Sequence, residues 1–522
     1  MKYALSISAA LLLLLTAGQS APAQAQSPRE LVNQAIAAEG GLDALRGLKA
    51  LAIKADAMHR EPGQSKTADG EPRMLGNTTL TITWDLANGM ARTQWDRDMK
   101  YPAVEKIKYT DVVTPTLGYV IDDKGASKPM SGIRIAATLR ELERASPTLL
   151  LKALDAKSGL RAAGNQKLGS KTLRAVSFVD GGTNFTVLFD PQSKLPAAIR
   201  TRDDDNIAGD SIYDLVPSDW KAVGGVKVAH TLSYQLNGVE VGKVTYKEVT
   251  ANPTITADTF AVPEAVKSAT KAPATGNVPY QWVLRRLALG RFLDSDGIIV
   301  PPGGSLKLVE LAPNVQHVQG GGANNLIVAM KDHLVVFDAP YGELQSHWVI
   351  DEAKKKYPGK PIRYLVLTHH HMDHTGGTRT FMAEGATVIV PSPDKAYFEK
   401  VARMPHTVAP DELAKKRRAA AKVQEVKDQL SLKDDSEEIR LYNITNPHVE
   451  GMIIAHLVKP NIVYVTDILS PRGPIERNPG TLAVGEALKK NGITNSTIAG
   501  GHGTTAKQAD IGAALGTEVS SR

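Results

Sequence analysis

The run Thr368-His369-His370-His371-Met372-Asp373-His374-Thr375-Gly376-Gly377 sets imidazoles and one carboxylate in the order His-x-His-x-Asp-His. Imidazole nitrogens and carboxylate oxygens crowded into one loop suit a borderline divalent cation such as Zn2+. The stretch before it, Ile362-Arg363-Tyr364-Leu365-Val366-Leu367, reads as a short buried strand, and the two glycines after Thr375 read as a loop feeding a helix. Alternate residues of an extended loop share a face, so His369 and His371 can meet one ligand while His370 points away. Further donors follow downstream. His448 in Asn446-Pro447-His448-Val449-Glu450-Gly451 precedes the apolar run Met452–Val458. Ile462-Val463-Tyr464-Val465-Thr466-Asp467 ends a strand on an acid, and Ala499-Gly500-Gly501-His502-Gly503 holds a histidine in a glycine loop.

Motif, order and spacing together resemble the signature of the metallo-β-lactamase superfamily, over residues 306–515. The resemblance implies an αββα sandwich with metals at one edge. It implies that His369, His371 and His448 hold one metal, that Asp373, His374 and His502 hold a second, and that Asp467 bridges both. A hydroxide shared by the two ions would then be the nucleophile, with Asp373 orienting it and later carrying a proton to the leaving group. Asp338 closes the strand Leu334–Phe337, at a position where relatives carry an acid that steadies the metal loop from behind. Taken alone, it also reads as a turn cap. Two divalent ions are implied, zinc by default, while iron and manganese are compatible with the same donors.

Departures from branches of the superfamily narrow the reaction. The chain has no cysteine, which excludes the Cys ligand of one β-lactamase subclass. A bridging Asp467 is closer to glyoxalase II, lactonases and phosphodiesterases. Ile468-Leu469-Ser470-Pro471 lacks the tyrosine that follows the bridging acid in acyl-homoserine lactonases, and too few residues follow His502 for the helical substrate domain of glyoxalase II. What remains is a dinuclear metal hydrolase of unassigned substrate, for which an ester, lactone or amide is the expected bond class, a β-lactam being one amide case. Phosphodiester or phosphotriester hydrolysis is the alternative, because the same metal clamp serves phosphoryl transfer. A periplasmic binding protein with a structural metal is a third reading, weighed against by a donor set larger than the four that close a structural zinc site.

The chain has 13 histidines, so enrichment alone proves nothing about each one. His456 reads as a sheet residue, and His317, His333 and His347 as ordinary polar positions. Within the stretch 391–433, taken as a helical insertion, Tyr397, Phe398, Met404 and His406 either line the mouth of the site or form the small core of a helical hairpin. A helical pattern runs from Asp411 to about Gln429, and its basic run Lys415-Lys416-Arg417-Arg418 reads as a solvated helix face. No nucleic-acid partner is expected.

The remaining chain supplies compartment and scaffold. A basic start at Lys2, an apolar core through Leu11–Leu15 and small residues at Ala23-Gln24-Ala25 read as a signal peptide over 1–25, with cleavage after Ala25. A periplasmic or secreted protein without a stable membrane anchor is expected, acting on a small molecule. With 522 residues, 42% of them hydrophobic, the chain can bury more than one core, and a net charge of +7 is mild at that length.

Residues 26–266 read as a separate, mainly antiparallel α+β domain. It opens with helical periodicity from Ser27 to about Ala50. Alternating strands follow, such as Leu80-Thr81-Ile82-Thr83-Trp84 and Phe185–Phe189, with a more helical stretch at Ile133–Leu154. The phrase Asp258–Pro263 resembles the end of lipoprotein-carrier-like periplasmic domains. A linker with a short helix over 267–305 then leads to a catalytic domain at 306–522. The front domain shows no catalytic cluster of its own. Ligand binding, a share in the substrate cleft, dimerisation and simple cover are all open to it, and the oligomeric state is not legible.

Overall fold

The computed structural model describes residues 26–157, 159–267, 306–416 and 421–516. The expected signal peptide, nearly all of the expected linker with its short helix, and Arg417-Arg418 lie outside these residues. Among the described residues, no helix is long and apolar enough to cross a membrane.

The front half begins with a helix, Pro28–Glu39. Ser27 starts it by accepting from the Glu30 amide while the Glu30 carboxylate reaches back to the Ser27 amide, and Pro28 fits the first turn. Thirteen strands between Ala50 and Ala251 then form one sheet. It is two meanders joined along their outer members, since the first strand, Ala50–Glu61, pairs antiparallel with the last, Val239–Ala251. The alternation read in sequence is realised, with Leu80 and Trp84 buried and Thr81 exposed. The buried face packs on the helices Pro28–Glu39, Gly132–Ala145 and Leu149–Asp155 in one core. Between the sheet and Gly132–Ala145 lies an apolar cavity of about 210 Å3, lined by Leu80, Trp84, Trp95, Leu142, Tyr234 and Val244 among others.

The second half is a four-layer sandwich. A seven-stranded mixed sheet runs from Lys307–Ala312 to Val423–Val426, and a six-stranded sheet from Gln429–Lys433 to Thr505–Lys507. Val328, Phe337 and Val366 of the first sheet meet Ile453, Tyr464 and Ala499 of the second in a shared interior. The outer face of the first sheet is covered by Glu343–Lys356, Thr378–Glu384 and Lys395–Arg403, and that of the second by Pro479–Lys490 and Gln508–Leu515. This is the expected αββα arrangement behind an α+β half with a large antiparallel sheet.

The stretch 391–433 differs from the expected helical insertion. Helices occupy Lys395–Arg403 and Glu412–Lys416, but Val423–Val426 is a strand paired parallel to Val388–Pro391, and Gln429–Lys433 pairs antiparallel with Glu438–Tyr442. The sheet edges overrode a charge pattern that looks helical. Phe398 is a fully buried member of the core of this half rather than the mouth of a site. Pro405 and Thr407 bond Asp210 of the front half, and His406 faces Asp204 at 2.9 Å, so this part of the insertion docks the two halves.

Candidate metal centre

Four strand ends and one strand start meet at one edge of the sandwich. Leu334–Phe337 ends at Asp338, Ile362–Val366 leads into His369, Ile462–Val465 into Asp467, and Thr497–Gly500 into His502, while His448 precedes Met452–Leu457. Two donor groups result, His369, His371, His448 and Asp467, and Asp373, His374, Asp467 and His502, the donor atoms of each lying within 4.8 Å of one another. Asp467 belongs to both. Its Oδ2 is 2.8 Å from His369 Nε2 and 3.2 Å from His448 Nε2, and its Oδ1 is 2.7 Å from His502 Nε2.

The outward nitrogen of each ring decides what its inward nitrogen can do. His371 Nε2 lies 2.9 Å from the Ser65 carbonyl and His502 Nδ1 2.7 Å from the Gly322 carbonyl. A carbonyl only accepts, so both nitrogens carry the proton and donate, which leaves His371 Nδ1 and His502 Nε2 as inward lone pairs. His374 Nδ1 donates to Asp338 Oδ2 at 2.9 Å and turns Nε2 inward. The Thr368 hydroxyl gives its one proton to Asp338, so it accepts from His369 Nδ1 at 3.1 Å and His369 Nε2 faces Asp467. Asp338 is fully buried at a left-handed φ of 56° and holds the Thr368 amide as well. It thus supports both donor groups from behind.

The inward nitrogens converge closely, with His371 Nδ1 to His448 Nε2 at 2.9 Å and His374 Nε2 to His502 Nε2 at 3.1 Å. His369 Nε2 and Asp467 Oδ2 are buried without a well-formed hydrogen bond. Lone pairs and carboxylate oxygens pointing at a common centre are the donor set that a divalent cation satisfies, so the residues fit a metal. The protonation tendencies of His369, His371, Asp373 and Asp467 agree. Burial pushes His369 down to about 4 and lowers His371 as well, keeping both imidazoles neutral. Burial also opposes ionisation of Asp373 and Asp467, but His374 and His502 outweigh it and hold both below the usual carboxylate range. His374 is drawn upward, against its burial, by Asp467, Asp338 and Asp373. The pocket calls for positive charge.

Residues 319–506 match the family model described as the metallo-beta-lactamase superfamily. Residues 319–506 form a metallo-β-lactamase superfamily domain. The superfamily is in general one of metal-binding hydrolases, and the domain carries the candidate ligands described above. Among solved structures, the chain is similar to the metallo-β-lactamase FIM-1 from Pseudomonas aeruginosa in its mono-zinc form, with 19% identity over 40% of this chain and 91% of that one and a TM-score of 0.30. It is similar also to a metallo-β-lactamase from Hirschia baltica, with 18% identity over 40% and 94% of the two chains and a TM-score of 0.31. The sec-alkylsulfatase Pisa1 from Pseudomonas sp. shares 19% identity over 39% of each chain, with a TM-score of 0.30. No curated protein sequence matches the chain.

Other histidines of the metallo-β-lactamase domain fall outside both donor groups. His370 turns away, with Nε2 3.0 Å from the Ser65 carbonyl and Nδ1 3.3 Å from Asp394. His456 bonds Asn461 within its sheet. His317 is no ordinary polar position, being fully buried with Nε2 on the Gly500 carbonyl at 2.9 Å, where it braces the loop of His502. Sequence reading also missed a whole side of the site. Gln64 Nε2 donates to Asp373 Oδ1 at 2.7 Å, Tyr101 OH to Gln64 Oε1 at 2.7 Å, and Arg73 to the His448 carbonyl at 2.9 Å. All come from the front half, and no local motif marks them.

Proposed function

We propose that this chain is an exported, dinuclear zinc hydrolase that cleaves an ester, lactone or amide bond, a β-lactam among the amides, in a small acyl compound. The observation that carries the reading is the pair of donor groups meeting at Asp467. Two divalent ions, when bound there, supply a nucleophile from water at neutral pH and Lewis acidity for the substrate carbonyl. His369, His371 and His448 would hold one ion, Asp373, His374 and His502 the other, with Asp467 common to both. Asp373 has Oδ1 tied to Gln64 while Oδ2 stands 3.8 Å from both His374 and His502. It is placed to take a proton at Oδ2 and deliver it to a leaving group.

The phosphodiester alternative calls for basic side chains free above the metals. Two basic residues beside the His448 loop, Arg73 and Lys66, are spent otherwise: Arg73 lies over the Tyr101 ring and bonds the His448 carbonyl, and Lys66 bonds the Pro447 carbonyl. This favours the acyl reading.

The test uses protein from Gln26 onward with its metal content measured, on a panel of ester, lactone, β-lactam, thioester and phosphodiester probes. Asp373→Asn is expected to abolish whichever hydrolysis the wild type performs while leaving its melting profile intact. Full activity in that variant would overturn the mechanism. Export with cleavage after Ala25 is checked by N-terminal sequencing of protein recovered from outside the cytoplasm.

A further inference from the structure

We propose that the front domain is a working part of the metal centre, with Gln64 and Tyr101 as positioning residues for Asp373 and the Ser65 carbonyl fixing the ring of His371. The inference rests on the metal-centre reading above and goes beyond it by assigning the site to two domains instead of one.

The contact is a strap that follows the first strand of the front sheet. Pro62–Gln64 forms a single tight turn, with the Gly63 amide on the Glu61 carboxylate at 2.7 Å and the Ser65 hydroxyl on the Pro62 carbonyl at 2.7 Å. The turn lies so close to the metal loop that a Cβ on Gly63 would stand 2.8 Å from Met372 Cγ. Gln64 and Ser65 are 4% and 1% exposed, so the bonds they make are shielded from water. Beyond them, the Lys66 carbonyl accepts from the Glu450 amide at 3.0 Å, which clamps the strap beside His448 as well.

The chemistry of the chain Tyr101–Gln64–Asp373 has a fixed direction. A carboxylate only accepts, so the Gln64 amide must turn Nε2 towards Asp373. That leaves Oε1, which also only accepts, facing Tyr101, so the phenol donates. Tyr101 is in turn held flat by Arg73, whose guanidinium sits 4.5 Å from the ring centroid. The result selects one oxygen of Asp373 for the strap and one for the interior. Without Gln64 the carboxylate can swing about its terminal torsion and offer either oxygen. The bonds therefore end on the side chains of candidate ligands, at the atoms turned away from the centre, where simple glue between domains would end on scaffold. Groups that orient metal ligands from behind are typically worth about 10–100-fold in metal affinity.

The experiment compares wild type, Gln64→Ala, Tyr101→Phe and Lys400→Ala in the chain from Gln26 onward. Lys400 is the control, since its exposed ion pair with Asp69 joins the same two halves without touching a candidate ligand. Zinc stoichiometry and affinity are read by chelator competition, and ligand geometry by the absorption spectrum of the cobalt-substituted protein. The expected result is that Gln64→Ala weakens one of two zinc sites about 10-fold or more and shifts the cobalt bands. Tyr101→Phe, which removes one oxygen and should fold, moves both readouts in the same direction by less, and Lys400→Ala moves neither. Wild-type affinity and spectrum in both Gln64→Ala and Tyr101→Phe would overturn the inference alone. A wild type that takes up no metal would overturn the metal-centre reading and this inference with it.

Discussion

At the scale of residues, the centre is built by deciding which nitrogen of each ring carries a proton, and Asp338 decides most. It takes the His374 proton and, through Thr368, orients His369. Its backbone sits at φ 56°, a conformation that asparagine tolerates, so Asp338→Asn changes the side chain without straining the turn. An amide nitrogen facing His374 Nδ1 or the Thr368 amide sets donor against donor in a dry site. The expected outcome is weaker zinc binding in both groups and a loss of about 1–3 kcal/mol in denaturant unfolding. A variant with wild-type zinc affinity would deny Asp338 its role.

Much of this layer is legible in sequence, because the motif at 369–374 and the single donors at 448, 467 and 502 stand out by type and order. Gln64 is invisible there, since it meets Asp373 from 309 residues away and carries no chemistry of its own until that contact is made.

At the scale of elements, strand ends aim the donors and glycine loops let them approach. Gly503 follows His502 at φ +79°, and a Cβ there would stand 2.3 Å from the Pro471 carbonyl, a fixed backbone atom. Gly503→Ala must therefore move the loop. It should lower the melting temperature and loosen zinc held through His502, measured by calorimetry and chelator titration together; an unchanged protein would show that the loop yields freely.

Strands with unbroken apolar runs, such as Leu334–Phe337 and Met452–Leu457, were plain in the sequence, as were the front helices. The stretch Val423–Lys433 was not. Its residues alternate charge and apolar groups on short edge strands, a pattern that also suits a helix, and only the neighbouring strands, Thr387–Pro391 for Val423–Val426 and Glu438–Ile444 for Gln429–Lys433, decide between them.

At the scale of the molecule, two cores of different kind share one centre, and each has its own response to conditions. In the front core, His59 borders the apolar cavity, and burial, with Arg97 nearby, pushes its imidazole down to about 3 from an ordinary 6.5. A depressed histidine means that the unfolded chain binds the proton first. Stability is therefore fully present above about pH 6.5 and drains away as pH falls toward 3. His59→Asn removes that proton uptake, so the stability gap between wild type and variant should shrink steadily from pH 7 to 4. A gap that stays constant in urea titrations across that range would show the ring to be freely protonated in the folded state. That an α+β half precedes the metallo-β-lactamase fold was readable from strand periodicity and the histidine motif, but the docking of the halves was not, because Asp210, Asp204 and the strap are ordinary polar residues until the partner surface is present.

The strand that carries the strap has a consequence for how the molecule assembles. Ala50–Glu61 lies in the middle of the front sheet, with Arg73–Asp85 on one side and Val239–Ala251 on the other, so Leu51 faces both Trp84 and Ala251. One ladder closes locally, whereas the other waits for residues made about two hundred positions later. Such long-range pairing is slow, because the loop must be closed before any contact rewards it. Until that pairing forms, the strap has no rigid base from which to reach Asp373 and His371. Maturation of the centre is thus expected to wait on the completion of a sheet that contains none of its histidines.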